Sequence, residues 1–251
     1  MLLRKILLVV TSAILGVLVF EPYGIWPLAL VAWIPFLIAL RGANTRTSFR
    51  LGLLHGFITF AWALCWLWNI FETTSIALWA MLACFTAIWA ALISAGKISS
   101  SWIIATLWTG LEYFRGELFT LSFPWITPGT GLPPNWFTPV VGTYGITFLI
   151  ILASALTVKN FKIGSTITLL LLLSTLTFKT ATPDSPALKI GLIQDESGVD
   201  TYYHQASQKI ANDVDILVWP EYALGHFKGS NPYATKILSH RAQLLVSGAR
   251  I

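Results

Sequence analysis

The stretch TSIALWAMLACFTAIWAALISA (Thr74–Ala95) runs for twenty-two residues without a charge. At about 1.5 Å of rise per residue, a helix of that length reaches about 33 Å, enough to cross a hydrocarbon layer roughly 30 Å thick. An uncharged run of this length reads as a membrane span. Working outward from it, further apolar segments lie near 6–20, 25–40, 51–71, 101–114, 138–158 and 163–179, which makes about seven spans in residues 1–179. Several fall short of the roughly 20 residues an upright span needs, and packing against neighbours has to shelter them.

Composition agrees. Of 251 residues, 55% are hydrophobic and 11% charged, against roughly 25% charged in an ordinary soluble domain. Residues 1–179 hold ten Lys+Arg and four Asp+Glu, whereas residues 180–251 hold six and seven. The basic excess therefore belongs to the membrane part and reads as loop charge at a membrane surface, not as a nucleic-acid footprint. Arg4-Lys5 followed by Ile6–Phe20 resembles a signal peptide, but the small-residue cleavage pattern is poor and Trp26–Leu40 supplies another apolar stretch at once. A retained first span is expected.

Charge fixes the expected sidedness. With Arg4-Lys5 inside and one crossing per span, the inner side receives Arg4, Lys5, Arg41, Arg46, Arg50, Lys97, Lys159 and Lys162, and the outer side Arg115 and Lys179. That is the positive-inside pattern, and it places residues 180–251 outside the cytoplasm. Trp26, Trp79, Trp102 and Trp136 fall near expected span ends, where an indole keeps its ring apolar and its N–H wet. Trp62, Trp66 and Trp89 fall within spans, as packing or lipid-facing residues. Gly52 and Gly56 have the spacing that lets helices approach closely. Cys65 and Cys84 lie in apolar segments and are expected to be buried small hydrophobes, with no disulfide framework.

Residues 115–137 differ from the spans. Prolines and glycines break any helix there, and the aromatic residues suit the headgroup zone. Two readings stand: a connector lying along the interface, or a lipid-facing wall around an active site. Glu112, Arg115 and Glu117 cluster at the start of this segment, and the three-residue spacing from Glu112 to Arg115 suggests an anchoring ion pair. His55 falls near the cytoplasmic end of its span.

After Lys179 the pattern changes. Thr180–Ala187 is a Pro/Ser/Thr linker. Leu188–Gln194 reads as a strand, 201–212 as a helix, Asp215–Trp219 as a strand, 232–244 as a helix and Leu245–Ser247 as a third strand. This alternation is the start of a parallel α/β layer structure, too short to be complete. Trp219-Pro220-Glu221 sits at the C-terminal end of the second strand, the edge where ligands and catalytic groups gather in parallel α/β architecture. Glu221 is therefore a candidate general base; a helix-capping or surface acid is the alternative. His204, His226 and His240 have no acid or cysteine at metal-ligand spacing and read as solvated side chains. No dinucleotide, P-loop, zinc-protease or serine-hydrolase motif is present.

Phe20-Glu21-Pro22-Tyr23-Gly24-Ile25-Trp26-Pro27, Gly56-Phe57, Phe123-Pro124-Trp125, Val140-Val141-Gly142-Thr143-Tyr144-Gly145 and Val218-Trp219-Pro220-Glu221-Tyr222-Ala223 together resemble the apolipoprotein N-acyltransferases of bacterial inner membranes. The resemblance implies a membrane bundle over 1–179, a linker over 180–187, and over 188–251 the start of a nitrilase-like (carbon–nitrogen hydrolase) domain, an incomplete α-β-β-α sandwich. It implies that Glu221 is the general base of a Glu-Lys-Cys triad, with no cofactor and no metal. The implied reaction takes an acyl chain from a membrane phospholipid, through a cysteine thioester, to the N-terminal amine of a diacylglyceryl-cysteine lipoprotein. The family's lysine, cysteine and final span lie beyond residue 251, so residues 1–251 are expected to be an N-terminal portion without activity of its own. Two other readings compete: an inactive or accessory membrane protein with a remnant domain, and a transporter. Paired broken helices around a midplane ionisable site would mark the transporter, and the sequence shows none.

Overall fold

The computed structural model describes residues 2–179, 188–194, 200–210, 213–220 and 244–246. The chain divides into two compact units, Met1–Thr180 and Ala181–Ile251.

The first unit is helical among its described residues. Its helices are α1 (Leu2–Val17), α2 (Trp33–Leu40, after a 3-10 turn over Trp26–Leu30), α3 (Thr45–Ala63), α4 (Trp68–Phe71), α5 (Thr74–Ala95), α6 (Ser101–Tyr113), α7 (Thr138–Lys159) and α8 (Phe161–Thr177). Among the described residues, only α5 and α7 are individually long and apolar enough to cross a membrane. A third crossing is reached if α3 and Cys65–Phe71 count as one span, bent by 66°. The other expected segments are helical but short: α1, at 16 residues, extends about 24 Å, less than the roughly 30 Å of the hydrocarbon layer. Residues 1–179 thus form a multi-pass helical region in which several apolar helices rely on their neighbours.

Local sequence sets the helix ends. Asn44 caps α3 by accepting from Thr47 N at 2.8 Å. Asn160 ends α7 and its side chain accepts from Ile163 N at 3.4 Å to start α8, which leaves a one-residue turn. A Cβ on Gly164 would lie 2.1 Å from Thr157 N, so the tight return of α8 against α7 requires glycine there.

Lipid gives helices no hydrophobic reason to associate, so close packing of small residues has to hold them. Gly52 of α3 faces the Ala87 backbone of α5, and Gly56 faces Ala83; a Cβ on either would lie 2.7 Å from the facing Cα. The centre of the bundle is aromatic. Trp33 meets Trp108 at 4.4 Å between ring centroids, and Trp89 meets Trp108 at 5.1 Å. Trp89 is fully buried and its indole N–H donates to Ile104 O at 3.1 Å, so it packs inside the bundle and does not face lipid. Trp79, expected at a wet span end, is also buried, and its N–H has no partner. Trp102 and Trp136 are exposed as span-end indoles. Cys65 departs from expectation because the helix breaks there, which leaves it exposed; Cys84 is half-buried, donating to Ala80 O.

Helix α7 is interrupted. Gly142 has φ +64° and ψ −175°, a conformation essentially restricted to glycine. The break separates the first four residues of α7 from the rest. Alanine at 142 is expected to cost roughly 1–3 kcal/mol, read as a lower melting temperature in detergent. Alanine at Gly110, a helical glycine with open space around it, is expected to be neutral or stabilising.

In the second unit, strands β1 (Ile190–Leu192), β2 (Ile216–Val218) and β3 (Leu244–Val246) form a parallel sheet in the order β1-β2-β3. Helix α9 (Asp200–Ile210) packs on it, where Tyr203, Leu217, Trp219 and Ile193 make a small core. β1 buries Gly191 and exposes Ile190 and Leu192. Parallel sheets are ordinarily covered on both faces, so these elements are part of an α/β layer. β3 begins at Leu244, one residue earlier than expected. The rest of the expected 232–244 helix and the 180–187 linker lie outside the described residues.

Candidate functional site

The end of the first unit where α1 stops and α6 gives way to the 114–137 segment gathers the buried ionisable groups. Glu112, on the last turn of α6, is 3% exposed, and Arg115 is 2% exposed. The expected ion pair between them does not form. Past Tyr113 the helix widens into a π turn over Phe114–Leu118, and the two charges act on each other only across a gap. Glu112 is instead held by two neutral donors: Trp108 Nε1 donates to Oε2 at 3.0 Å, and Thr147 Oγ1 donates to Oε1 at 2.8 Å. Thr147 has one hydroxyl proton and spends it on Glu112, so it accepts from Gly129 N, at 2.9 Å. A relay of three hydrogen bonds therefore runs from α6 through α7 into the loop.

Arg115 serves the other half of that loop. Its Nη2 donates to Trp125 O at 3.2 Å, and its guanidinium carbon stands 5.2 Å from the Phe60 ring centroid of α3. Its Nε is buried without a hydrogen-bond partner. Gly116 allows the close approach of Tyr144, whose hydroxyl donates to Glu117 Oε1 at 2.7 Å. Thr127 and Thr130 form a reciprocal cap on the turn Pro128–Gly131, and a Cβ on Gly131 would strike Val19 of the α1 end. The 115–137 segment is thus a tethered, ordered element. It presents exposed Leu118, Leu121, Trp125 and Trp136 around a buried polar root. Aromatic and aliphatic residues so placed suit the headgroup boundary of a bilayer.

A second polar site lies under this loop. Ser12 Oγ donates to Ala32 O and contacts His55 Nε2 at 3.1 Å. The serine proton is committed, so His55 carries its own proton on Nε2, and Nδ1 is a bare, unpartnered acceptor. His55 stacks on Phe36 at 4.4 Å. It borders a cavity of about 40 Å³ shared with Thr59, Ile126 and Pro128. That volume fits water molecules and not an acyl chain. His55 is therefore buried against the loop residues and lies midway along its helix instead of near its start, because α3 begins at Thr45, six residues before the expected span.

In the second unit, Trp219 directly follows the central strand β2. It is buried, and its indole N–H donates to Ser207 Oγ of α9 at 2.9 Å while its ring meets Tyr203 at 5.6 Å. Those contacts fix the chain on leaving the sheet. Pro220 comes next, and Glu221 itself lies outside the described residues, as do His226 and His240. Among the described residues no group of three His, Cys, Asp or Glu side chains is placed to hold a metal ion.

Residues 12–156 match the family model of the apolipoprotein N-acyltransferase N-terminal domain, more than half of the chain. The chain belongs to the apolipoprotein N-acyltransferase family. Family members named apolipoprotein N-acyltransferase include one from Geobacter metallireducens, 30% identical over 93% of this chain and 54% of the relative. Others are from Wigglesworthia glossinidia brevipalpis, 27% identical over 84% of this chain and 50% of the relative, and from Pseudomonas syringae pv. tomato, 25% identical over 98% and 58%. The chain spans about half the length of these N-acyltransferases. Likeness over 93% and 98% of this chain runs past the membrane region into the second unit. The matched residues 12–156 contain the whole Glu112–Thr147–Gly129 relay, Arg115 and the Ser12–His55 pair. Sequence reading singled out Glu112, Arg115 and His55. It passed over Thr147, Trp108 and Ser12, and only the four-residue step from Trp108 to Glu112 offered a signal.

Proposed function

We propose that this chain is the membrane-embedded part, with the start of the catalytic domain, of an enzyme that N-acylates diacylglyceryl-cysteine lipoproteins with an acyl chain from a phospholipid. The carrying observation is the likeness to N-acyltransferases that runs through both units of the chain. In this reading Glu221 is the general base. It takes the proton of a cysteine thiol, and the thiolate attacks the phospholipid ester carbonyl. The tetrahedral oxyanion is steadied by a lysine. It collapses to a thioester as the lysophospholipid alkoxide leaves with the proton. The lipoprotein's α-amine then attacks the thioester, its proton passes to Glu221, and the amide forms as the thiolate departs.

The domain over 188–251 is read as nitrilase-like, with Trp219 and Pro220 setting the backbone that leads into Glu221. Its lysine and cysteine partners are not assigned to any residue of 1–251; Cys65 and Cys84 both belong to the helical unit. The protein resides in the bacterial inner membrane with its N-terminus in the cytoplasm and residues 180–251 outside. The gathering of Lys5, Arg41 and Lys159 at one end of the bundle supports this orientation. The exposed Trp125, Trp136 and Leu118 of the loop then meet the outer leaflet that holds both lipid substrates.

The test is reconstitution of the full-length protein with labelled phospholipid and a diacylated lipopeptide. Transfer of label to the peptide amine is expected. The polypeptide 1–251 alone is expected to give no turnover above a vector control. A full-length protein that binds both lipids without transfer would favour the accessory reading.

A further inference from the structure

The opposite end of the bundle holds a pocket that acyl transfer does not use. It measures about 400 Å³ and is walled by Leu37, Ile93 and Ile104 from α2, α5 and α6, within the size range of small-ligand sites, about 300–1,000 Å³. Arg41, Lys97 and Lys159 stand at its rim. All four acidic residues of 1–179 (Glu21, Glu72, Glu112 and Glu117) lie at or just past the far ends of α1, α4 and α6, so no carboxylate of this unit neutralises the rim. Arg41 donates to Val158 O at 2.7 Å and Lys159 reaches Ser99 O at 3.5 Å, which spends one donor of each on the pocket wall and leaves the charges in place.

Lys97 is the telling residue. It makes no side-chain hydrogen bond or ion pair among the described residues, and its backbone has φ +48°. It closes α5 at the left-handed position of a helix stop: Ile98 N donates to Ile93 O at 2.9 Å and Lys97 N to Ser94 O at 3.3 Å. Glycine is the usual residue there. A lysine at a position where glycine is usual, over a basic pocket with an aliphatic wall, adds a third cation to the rim at the expense of backbone strain.

We propose that this pocket binds an anionic glycerophospholipid, its phosphate on Arg41, Lys97 and Lys159 and an acyl chain along the Leu37–Ile104 wall. A free phosphate uses the rim alone; a lipid uses the rim and the wall, and basic pockets between membrane helices take such headgroups. The site lies at the opposite end of the bundle from the loop and is independent of the acyl donor.

The test is native mass spectrometry of the full-length protein in mild detergent with phosphatidylglycerol, phosphatidylethanolamine or glycerol phosphate. The wild type is expected to retain phosphatidylglycerol at least about fivefold over phosphatidylethanolamine, the worth of one such cation, and to retain no glycerol phosphate. Lys97→Gly is expected to melt no lower than wild type and to lose most of that preference. Arg46→Gln, at the same end but outside the pocket, is expected to keep it. Equal retention of the two lipids, an unchanged preference in Lys97→Gly, or an equal loss in Arg46→Gln would each overturn the proposal. Binding of glycerol phosphate in competition with the lipid would assign the rim to soluble phosphates instead. Should Lys97→Gly melt lower, Lys159→Gln decides by the same criteria.

Discussion

Glu221→Gln in the full-length protein is expected to lower acyl transfer by roughly two to four orders of magnitude, the range for losing a positioned general base. Glutamine keeps the size of the side chain and removes its ability to take a proton. Both half-reactions need that ability: first to make the thiolate, then to deprotonate the attacking amine. Thioester formation from phospholipid, followed as a mass increase before any lipopeptide is added, should therefore slow with overall turnover. The alternative, a capping or surface acid, predicts something else. Loss of a helix cap costs about 1 kcal/mol, which shifts melting and leaves turnover per folded molecule unchanged. A Glu221→Gln enzyme that melts lower and transfers acyl groups at the wild-type rate would remove Glu221 from the mechanism. The structure adds a related expectation for Trp219, whose indole is tied to Ser207 on α9. Trp219→Phe keeps the ring and drops that bond, so it should perturb activity less than the loss of Glu221.

The parts of the fold that were legible in the sequence are those on which a bilayer imposes composition. Thr74–Ala95 has no charge because an unpaired charge there is expensive, and the observed helix has those bounds. The cations collect at one end, the asymmetry that the positive-inside bias produces, and Lys5, Arg41 and Lys159 meet there. The bend after Ala63 was not legible. No proline or glycine marks it; the chain turns at Leu64–Cys65, and Trp66 and Trp68 emerge exposed. Nor was the fate of Glu112 and Arg115. Their spacing promises a pair on a regular α-helix, but the helix widens into a π turn from Phe114, where Gly116 lies close to Tyr144 of another helix, a long-range contact that no local pattern encodes. Thr147 looks like any polar residue in an apolar helix until α6 and the loop are placed beside it. Glu221 is a candidate through its place just after a strand and through the family resemblance of the Trp219-Pro220-Glu221 segment.

The relay through Thr147 makes Glu112 the residue of the membrane unit whose loss should be felt most. Leucine at 112 leaves Trp108 Nε1–H and the Thr147 hydroxyl without their acceptor, and each orphaned buried donor costs roughly 1–3 kcal/mol. It also weakens the electrostatic support of buried Arg115, which acts across a gap and not through a direct pair. These terms overlap, so Glu112→Leu is expected to destabilise the protein by roughly 2–4 kcal/mol. Trp108 reports the loss directly, since its indole contacts both Glu112 and the Trp33–Trp89 cluster; its fluorescence should shift as the 114–137 loop loosens. Glu112→Gln supplies one acceptor oxygen for two donors and no charge, so it should fall between leucine and wild type. Thr147→Val, which frees Gly129 N but spares the Trp108 bond, should be milder than Glu112→Leu and should increase proteolysis within the loop. Glu117→Gln, at a more exposed carboxylate held by Tyr144 alone, should change melting little. Equal melting of Glu112→Leu and wild type would show that the loop is held by its aromatic contacts, with Phe60 and Trp125 carrying the anchorage assigned to the carboxylate.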